Sequence, residues 1–291
     1  MRLTLLHFND LHARLDQLPR LFTLIQRERA LAQTEGRAAL LFDCGDSSDP
    51  CAWESDITAG RANYALLEAM GVDAGVIGNN EAGRWGRVGL ERIAASAHFP
   101  LLAANLVDGA DPGQLAVPHL LPSCTLARGN HTVGIIGVTA LFPKIYAPFG
   151  YTTLDARPVL RCEIARLQLL KARPLILLSH LGCYLDPAPK PADLYTDENV
   201  AADFPEIDVI LGGHTHTALD PPVRVGQTII TQAGEHGRYL GKVDLDIDEV
   251  TGEVTHFSGA LIVCDERIPP DPTINATLEF VREEAARLRP L

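Results

Sequence analysis

An α/β fold with mixed sheets is what this sequence predicts, and three observations carry the prediction. From Arg2 to about Leu211, short apolar runs of strand length alternate with stretches of helical periodicity. Those apolar runs end at turns rich in Gly, Asp, Asn and His. From Val223 onward, strand-like stretches follow one another with no helix between them. Alternating βαβ units followed by an antiparallel section point to a single compact sandwich over residues 1–267. Residues 268–291 are then expected to form a helix packed on that domain or trailing from it.

Arg2 to Phe8 reads as the first strand, with Asp10 and His12 just past its end. Leu18, Leu21, Phe22 and Ile25 recur at helical spacing, with Arg27, Glu28 and Arg29 turned to water. Ala38 to Phe42 is a second buried strand ending at Asp43-Cys44-Gly45-Asp46, and a Pro/Asp/Ser-rich loop runs from Ser47 to Ser55. Gly60 to Met70 is a helix that Gly71 stops. Ala74 to Ile77 is a short strand closed by Gly78-Asn79. Val88 to Ala97 is helical, Pro100 to Ala103 a strand, and residues 108–130 connections rich in Pro, Gly and Asp.

Thr132 to Val138 is a strand, Val159 to Leu170 a helix, and Leu175 to Leu178 an apolar strand ending at Ser179-His180. The stretch from Leu185 to Asp197, with Pro187, Pro189 and Pro191, reads as a loop. A short helix leads to the strand Ile207 to Leu211, which stops at Gly212-Gly213-His214-Thr215-His216. Val223 to Thr231, Tyr239 to Ile247 and Val254 to Val263 are strands, with a hairpin turn at Asp248 to Gly252. Asp271 is the N-cap and Pro272 the first residue of a last helix, whose apolar stripe is Ile274, Leu278, Val281, Ala285 and Leu288.

Composition excludes some functions. The 291 residues carry a formal charge of −12, from 25 basic and 37 acidic side chains. Gripping long nucleic acid calls for a basic stripe, which is missing. A net negative protein also repels phosphate unless bound cations reverse the field locally. No segment approaches the ~20 apolar residues of a membrane span. The apolar run before Asp10 is too short for a signal peptide, so a cytoplasmic location is expected. Cys44, Cys51, Cys124, Cys162, Cys183 and Cys264 form no Cys-x-x-Cys pair and read as scattered reduced thiols.

The chemistry is expected at the strand ends. Open α/β sheets bind ligands beyond the carboxyl ends of their strands. Asp10, His12, Asp46, Asn79, His180, His214 and His216 all fall there. Seven oxygen and nitrogen donors with no thiolate suit Mn²⁺, Fe²⁺ or Zn²⁺ rather than a zinc–sulfur site. Seven is too many for one ion and natural for two, held about 3.5–4 Å apart by a bridging carboxylate, as in two-metal displacement at phosphorus.

The ordered series Asp10-x-His12, Gly45-Asp46, Gly78-Asn79, a lone His180, then Gly213-His214-x-His216 resembles the calcineurin-like metallophosphoesterase superfamily. The wording around the motifs is similar to its 5′-nucleotidase/2′,3′-cyclic phosphodiesterase branch, from about Arg2 to Val263. The resemblance implies a four-layer α/β/β/α sandwich and a two-metal centre that activates water for attack on phosphorus. It places Asp10, His12 and His216 on one metal, Asn79, His180 and His214 on the other, and Asp46 between them. The metals are expected to be manganese, with iron or zinc as alternatives. The substrate is expected to be a small phosphoester, nucleotides included, with Asp46, His180 and Asn80 in catalytic roles and Asn80, Asn105 and His236 at the substrate.

Two departures accompany the resemblance. Full-length members of the branch bind the nucleoside with aromatic side chains of a second domain, which the matching stretch does not reach. The family also reads Gly-Asn-His-Glu-Phe-Asp where this chain reads Gly78-Asn79-Asn80-Glu81-Ala82-Gly83. In the family that His, paired with the Asp, sits over the leaving group. Asn80 donates a hydrogen bond but gives no proton at neutral pH. A slow or leaving-group-selective hydrolase is therefore expected, with a metal- and phosphoester-binding protein of little catalysis as the alternative.

Overall fold

The computed structural model describes residues 1–129, 131–184 and 194–289. The first half of the chain runs β1 (Arg2–Phe8), α1 (Leu18–Thr34), β2 (Ala38–Asp43), α2 (Trp53–Ile57), α3 (Arg61–Ala69), β3 (Ala74–Val76), α4 (Asn79–Gly83), α5 (Gly86–Ser96), β4 (Leu101–Leu102), β5 (Leu106–Asp108), β6 (Leu120–Leu121), β7 (Ser123–Arg128) and β8 (His131–Val138). The second half runs α6 (Pro143–Tyr146), β9 (Tyr151–Thr153), α7 (Ala156–Leu169), β10 (Leu175–Ser179), α8 (Asp197–Asp203), β11 (Val209–Gly212), β12 (Val223–Val225), β13 (Thr228–Gln232), β14 (Tyr239–Ile247), β15 (Val254–Val263) and α9 (Pro272–Arg287).

Among the described residues these strands form a seven-stranded sheet, β15-β14-β1-β2-β3-β4-β6, and a six-stranded sheet, β12-β13-β11-β10-β8-β7, with β5-β9 as a separate ribbon. Both sheets are mixed. Strands β1, β2 and β3 are parallel in the first, and β8, β10, β11 and β13 in the second. Antiparallel strands close the edges, β14 and β15 on one sheet and β7 and β12 on the other.

The two-residue alternation of each strand sorts its side chains into layers. Leu3 and Leu5 of β1 join Ile176 and Leu178 of β10 and Val209 and Leu211 of β11 in an apolar zone between the sheets. Leu6 and Phe8 face the other way, into a zone shared with α1, α3, α5 and α9. Leu175, Leu177 and Ile210 meet α7 and α8 on the opposite outer face. The order is helix, sheet, sheet, helix, and it brings the carboxyl ends of β1, β2, β3, β10, β11 and β13 to one edge.

Several expectations need correction. Residues 108–130 were expected to be connections, yet β6 and β7 lie there, and β7 pairs along its length with β8. Its exposed residues alternate with partly buried ones and so lack the apolar run that marks a strand. Val223 to Thr231 is two strands, because Gly226 with φ of 60° turns the chain between β12 and β13. Strand β13 then joins the parallel core beside β11 and not an antiparallel tail. The expected proline-rich loop falls largely on residues 185–193, which, with Asn130, lie outside the described residues.

Helix α9 packs on the domain. The Asp271 carboxylate accepts from the amides of Thr273 and Ile274 at 2.9 and 3.0 Å, capping the helix ahead of Pro272. Ile274, Leu278, Val281 and Ala285 are buried against the outer face of the first sheet's helices. Arg282 reaches back to Glu54 at 2.7 Å and Asp16 at 2.9 Å. No helix among the described residues is long and apolar enough to cross a membrane. Leu278→Ala leaves a cavity under α9 and is expected to destabilise the protein by about 2–5 kcal/mol, read as a lower urea midpoint. An unchanged midpoint would mean that α9 only trails the domain.

Candidate metal centre

Each strand end hands one or two donors to the shared edge. Asp10 and His12 follow β1, Asp46 follows β2, Asn79 opens α4 after β3, His180 follows β10, and His214 and His216 follow β11. The loops after β1 and β2 stay paired, with Asp10 N donating to Gly45 O, His12 N to Asp46 O and Ala13 N to Ser47 O, all at 2.9 Å. Such tight turns push non-glycine residues into the left-handed region. Asp10, His12, Asp46, His214 and His216 have φ of 49°, 45°, 52°, 76° and 55°. Each costs about 1–3 kcal/mol and persists only where the surroundings over-determine it. Strain gathered on five of the seven expected ligands marks this edge as the working part of the fold.

All seven side chains come together. Asp10 Oδ1 lies 3.3 Å from His216 Nε2, 3.8 Å from His12 Nε2 and 3.9 Å from His180 Nε2. Asp46 turns Oδ1 to His180 Nε2 at 3.3 Å and Oδ2 toward His12 Nε2 at 3.9 Å. Asn79 Oδ1 is 2.8 Å from His214 Nδ1. Two groups of metal-compatible donors result, Asp10/His12/His216 and Asp10/Asp46/His180. Asp10 Oδ1 thus stands near both, whereas the resemblance assigns Asp10 to one metal and the shared role to Asp46.

The outer hydrogen bonds decide what the rings present inward. Nδ1 of His12 is 3.2 Å from Asp49 Oδ2, Nδ1 of His216 is 2.7 Å from Glu235 Oε2, and Nδ1 of His180 is 2.8 Å from the Cys44 carbonyl. For His216 and His180 the acceptor orients the ring with Nε2 toward the centre, the second-layer arrangement of metal-binding histidines, while Nδ1 of His12 lies between Asp49 Oδ2 and Asn80 Nδ2, the latter at 2.9 Å. Nε2 of His12 and Nε2 of His216 face one another at 3.1 Å. Asp10 Oδ1 and His180 Nε2 are buried with no hydrogen-bond partner. Converging carboxylates and imidazoles with orphaned polar atoms call for a cation, so the residues present fit a divalent metal centre.

The protonation states agree. Burial pulls the His180 pKa down, but the carboxylate charges of Asp46, 3.3 Å away, and Asp10 outweigh it and raise it to about 10. Without a metal, that proton is the cation the pocket demands. His214 is pushed down to about 4, by burial first and by His180 second, and is neutral at pH 7. Asp43, behind the centre, is raised to about 8 by burial and then by Glu81, held back by Ser47 and Gly45.

Several residues here were given no role by sequence. Glu81 is fully buried and accepts from the backbone amides of Asp46, Ser48 and Gly78 at 3.2, 2.8 and 3.1 Å. It fastens the β2 and β3 loops together. Gly78 must be glycine, because a Cβ there would stand 2.1 Å from Asp46 Oδ1. Asp49 and Glu235 orient imidazoles, yet an acidic residue in a polar loop carries no sequence signal of such a partner. For Glu81, adjacency to Gly78-Asn79 was the available hint.

Of the expected substrate residues, Asn105 is misassigned. It is fully buried, and its amide spends Nδ2 on Thr139 O at 2.9 Å and Oδ1 on Thr139 N at 2.8 Å, tying the β4–β5 connection to the end of β8. Asn80 and His236 do reach the centre. Asn80 Nδ2 donates to Asp49 Oδ2 at 2.8 Å. The His236 ring stands 5.7 Å from that of His12 and is 24% exposed.

Two sheets delivering a carboxylate–imidazole pocket from their parallel strand ends define a metal-centred α/β sandwich. Comparison with known proteins agrees. The family model described as calcineurin-like phosphoesterase matches residues 3–218. The chain is 32% identical over 250 residues to the metallophosphoesterase YunD of Bacillus subtilis, covering 86% of this chain and 51% of that protein. It is 28% identical over 314 residues to human 5′-nucleotidase, covering 95% of this chain and 52% of that one. The chain therefore belongs to the calcineurin-like phosphoesterase family, and it spans about half the length of the curated relatives it matches. Among solved structures, the sulfate thiohydrolase SoxB of Thermus thermophilus superposes with a TM-score of 0.79 at 22% identity, over 98% of this chain and 61% of that one. The calcineurin-like phosphoesterase YfkN of Bacillus subtilis does so at 0.77 and 19%, over 99% of both chains.

The geometry makes two expectations measurable. Metal-loaded protein should hold two divalent ions per chain by elemental analysis, and Asp46→Asn should lower both occupancies. Ligation must displace the His180 proton, so at pH 7 metal binding should release at least one proton, and affinity should fall as pH falls. Titration calorimetry in buffers of different ionisation enthalpy reads that proton directly. A stoichiometry of one, unchanged in Asp46→Asn, would contradict the two-metal centre.

Proposed function

We propose that this protein hydrolyses phosphoester bonds of small molecules, nucleotides among them, at a centre of two divalent metals, manganese first and iron or zinc as alternatives. The family supports phosphoester chemistry, and the observation that carries the reading is the convergence of carboxylates and imidazoles on one point, with Asp10 Oδ1 and His180 Nε2 buried there without a hydrogen-bond partner. When bound, such metals lower the pKa of water and neutralise charge developing at phosphorus. The chain's own residues do the rest. Asp49, Glu235 and the Cys44 carbonyl orient His12, His216 and His180, and Glu81 and Asn80 N hold Asp46 in place. The formal charge of −12 disfavours long nucleic acid as substrate. Six cysteines with no Cys-x-x-Cys pair support a reducing, cytoplasmic setting.

The substrate range follows from what stands over the leaving group. Position 80 holds an amide whose Nδ2 is already spent on Asp49, and position 83 holds no acid. His236 does not replace them. Burial, chiefly, lowers its pKa against the opposing pull of Glu235, which makes it a weaker cation than a free imidazole. With no acid for the departing oxygen, rate depends on how well the leaving group departs unprotonated. General acid help is worth about 10²–10⁴-fold.

Aryl phosphoesters are therefore expected to be cut faster than nucleoside monophosphates, whose alkoxide leaves poorly. Asn80→His with Gly83→Asp restores the family pair. An added Cβ at Gly83 meets Ile145 and Tyr146 only at 3.8 Å, an ordinary contact, so a side chain can start there without a clash. The expected gain is about tenfold or more in kcat/KM on alkyl leaving groups and less on aryl ones. Equal native rates on both classes, or no selective gain, would mean that another group supplies the proton. Phosphoester binding with no turnover of any class would favour the non-catalytic alternative.

A further inference from the structure

A cleft of about 190 Å³ opens beside the candidate ligand Asn79. Phe142 and Ile145 wall it, and Asn80 and Arg84 line the side nearest α4. Phe142 leans on the His214 ring at 5.6 Å, so the cleft adjoins the metal centre directly. Arg84 is exposed, and among the described residues it forms no ion pair, in a protein with a surplus of carboxylates. Its neighbour Arg87, by contrast, is spent on Asp108 and the carbonyls of Ala116 and Phe149.

Hydrogen bonding orients the amide between Arg84 and the centre. One end of Asn80 lies 2.8 Å from Asp49 Oδ2, 3.3 Å from Ser48 O and 2.9 Å from His12 Nδ1, whose ring nitrogen accepts here, and is the NH₂. The other end faces two donors, Arg84 Nε at 3.3 Å and Asn79 Nδ2 at 3.4 Å, and must be the oxygen. Asn80 is thus a spacer, fixed at one side by Asp49 and holding Arg84 by Nε on the other. The two terminal nitrogens of the guanidinium keep their donors, the planar fork that binds a pair of anionic oxygens.

We propose that Arg84 receives the leaving group, and that the site selects small phosphoesters and phosphoanhydrides whose leaving group carries negative oxygens of its own. This rests on the hydrolase reading for its orientation. The P–O bond breaks, and its electron pair goes with the departing oxygen. Water supplies the oxygen that bonds to phosphorus and loses a proton to solvent. The departing anion lies against the guanidinium and is protonated later from solvent. Fixed charge thus takes the place of a proton donor, which fits the absence of an acid at positions 80 and 83.

Binding of non-hydrolysable probes to manganese-loaded protein tests this without turnover. Methylenediphosphonate has a second phosphonate to reach Arg84, and methylphosphonate has none. Arg84→Gln should weaken methylenediphosphonate about tenfold or more, as for a hydrogen bond to a charged group, and leave methylphosphonate within about twofold. Arg84→Lys should recover part of the loss, since it restores the charge and not the fork. In kinetics, Arg84→Gln should lose more kcat/KM on pyrophosphate than on 4-nitrophenyl phosphate. Equal weakening of both probes, or of neither, overturns the role of Arg84. Turnover by the native protein with unchanged diphosphonate affinity in Arg84→Gln leaves the hydrolase standing and removes this assignment. Selective loss of diphosphonate binding with no turnover of any ester keeps the subsite and removes the hydrolase.

Discussion

The mutual repulsion of acceptor atoms at one edge of the sandwich is the constraint on which the rest depends. Two carboxylates, an amide oxygen and imidazole nitrogens have been driven together, with Nε2 of His12 and His216 only 3.1 Å apart. This arrangement leaves Asp10 Oδ1 and His180 Nε2 buried with no hydrogen-bond partner. It is held by strained turns, by the buried Glu81 and by outward hydrogen bonds of each ring, all anchored in two sheets whose shared core is apolar. The cost in left-handed backbone is carried by that core, and a cation relieves the repulsion. Preorganisation of this kind is what electrostatic catalysis needs, because donors and charges are in place before the substrate arrives.

The same logic separates two halves of the site. Around His12, His180, His214 and His216, each contact follows from holding cations. Around Asn80 the contacts follow from something else. An amide in place of an acid cannot move a proton, but it can fix its neighbours, and here it links Asp49 to Arg84. The half that gathers the candidate ligands follows the family's order of motifs, while beside it Asn80 holds the permanent charge of Arg84. A change of two side chains beside an intact metal set is a route by which one fold changes its substrates without changing its attack chemistry.

Much of this was determined by sequence alone. The two-residue and helical periods set the element types, and β14 and β15 span the residues that alternation marked. The seven donors were legible because each sits just after an apolar run, and a strand end is a place that can be located without coordinates. The absence of thiolates set the expectation of manganese, iron or zinc held by oxygen and nitrogen, and the missing His and Asp at positions 80 and 83 were visible as departures from a known order of motifs. The cap at Asp271 and the stripe of α9 were legible for the same local reason, since both depend on residues within one or two turns.

Only the tertiary structure decided the rest, because it depends on groups far apart in the chain. That Asn105 is a structural clamp follows from Thr139, 34 residues away. That Asp10 Oδ1 faces both donor groups follows from how His180 and His216 approach it from the other sheet. The edge strand β7 and the β12–β13 turn escaped the apolar pattern, since an edge strand is half solvated and needs no continuous run. Asp49, Glu81, Glu235 and Arg84 have ordinary polar neighbours in sequence, and their roles arise from which atom each one faces. Sequence determined which residues reach the edge, through periodicity. Packing decided which of their atoms are left without a partner, and an unpartnered atom is where chemistry can occur.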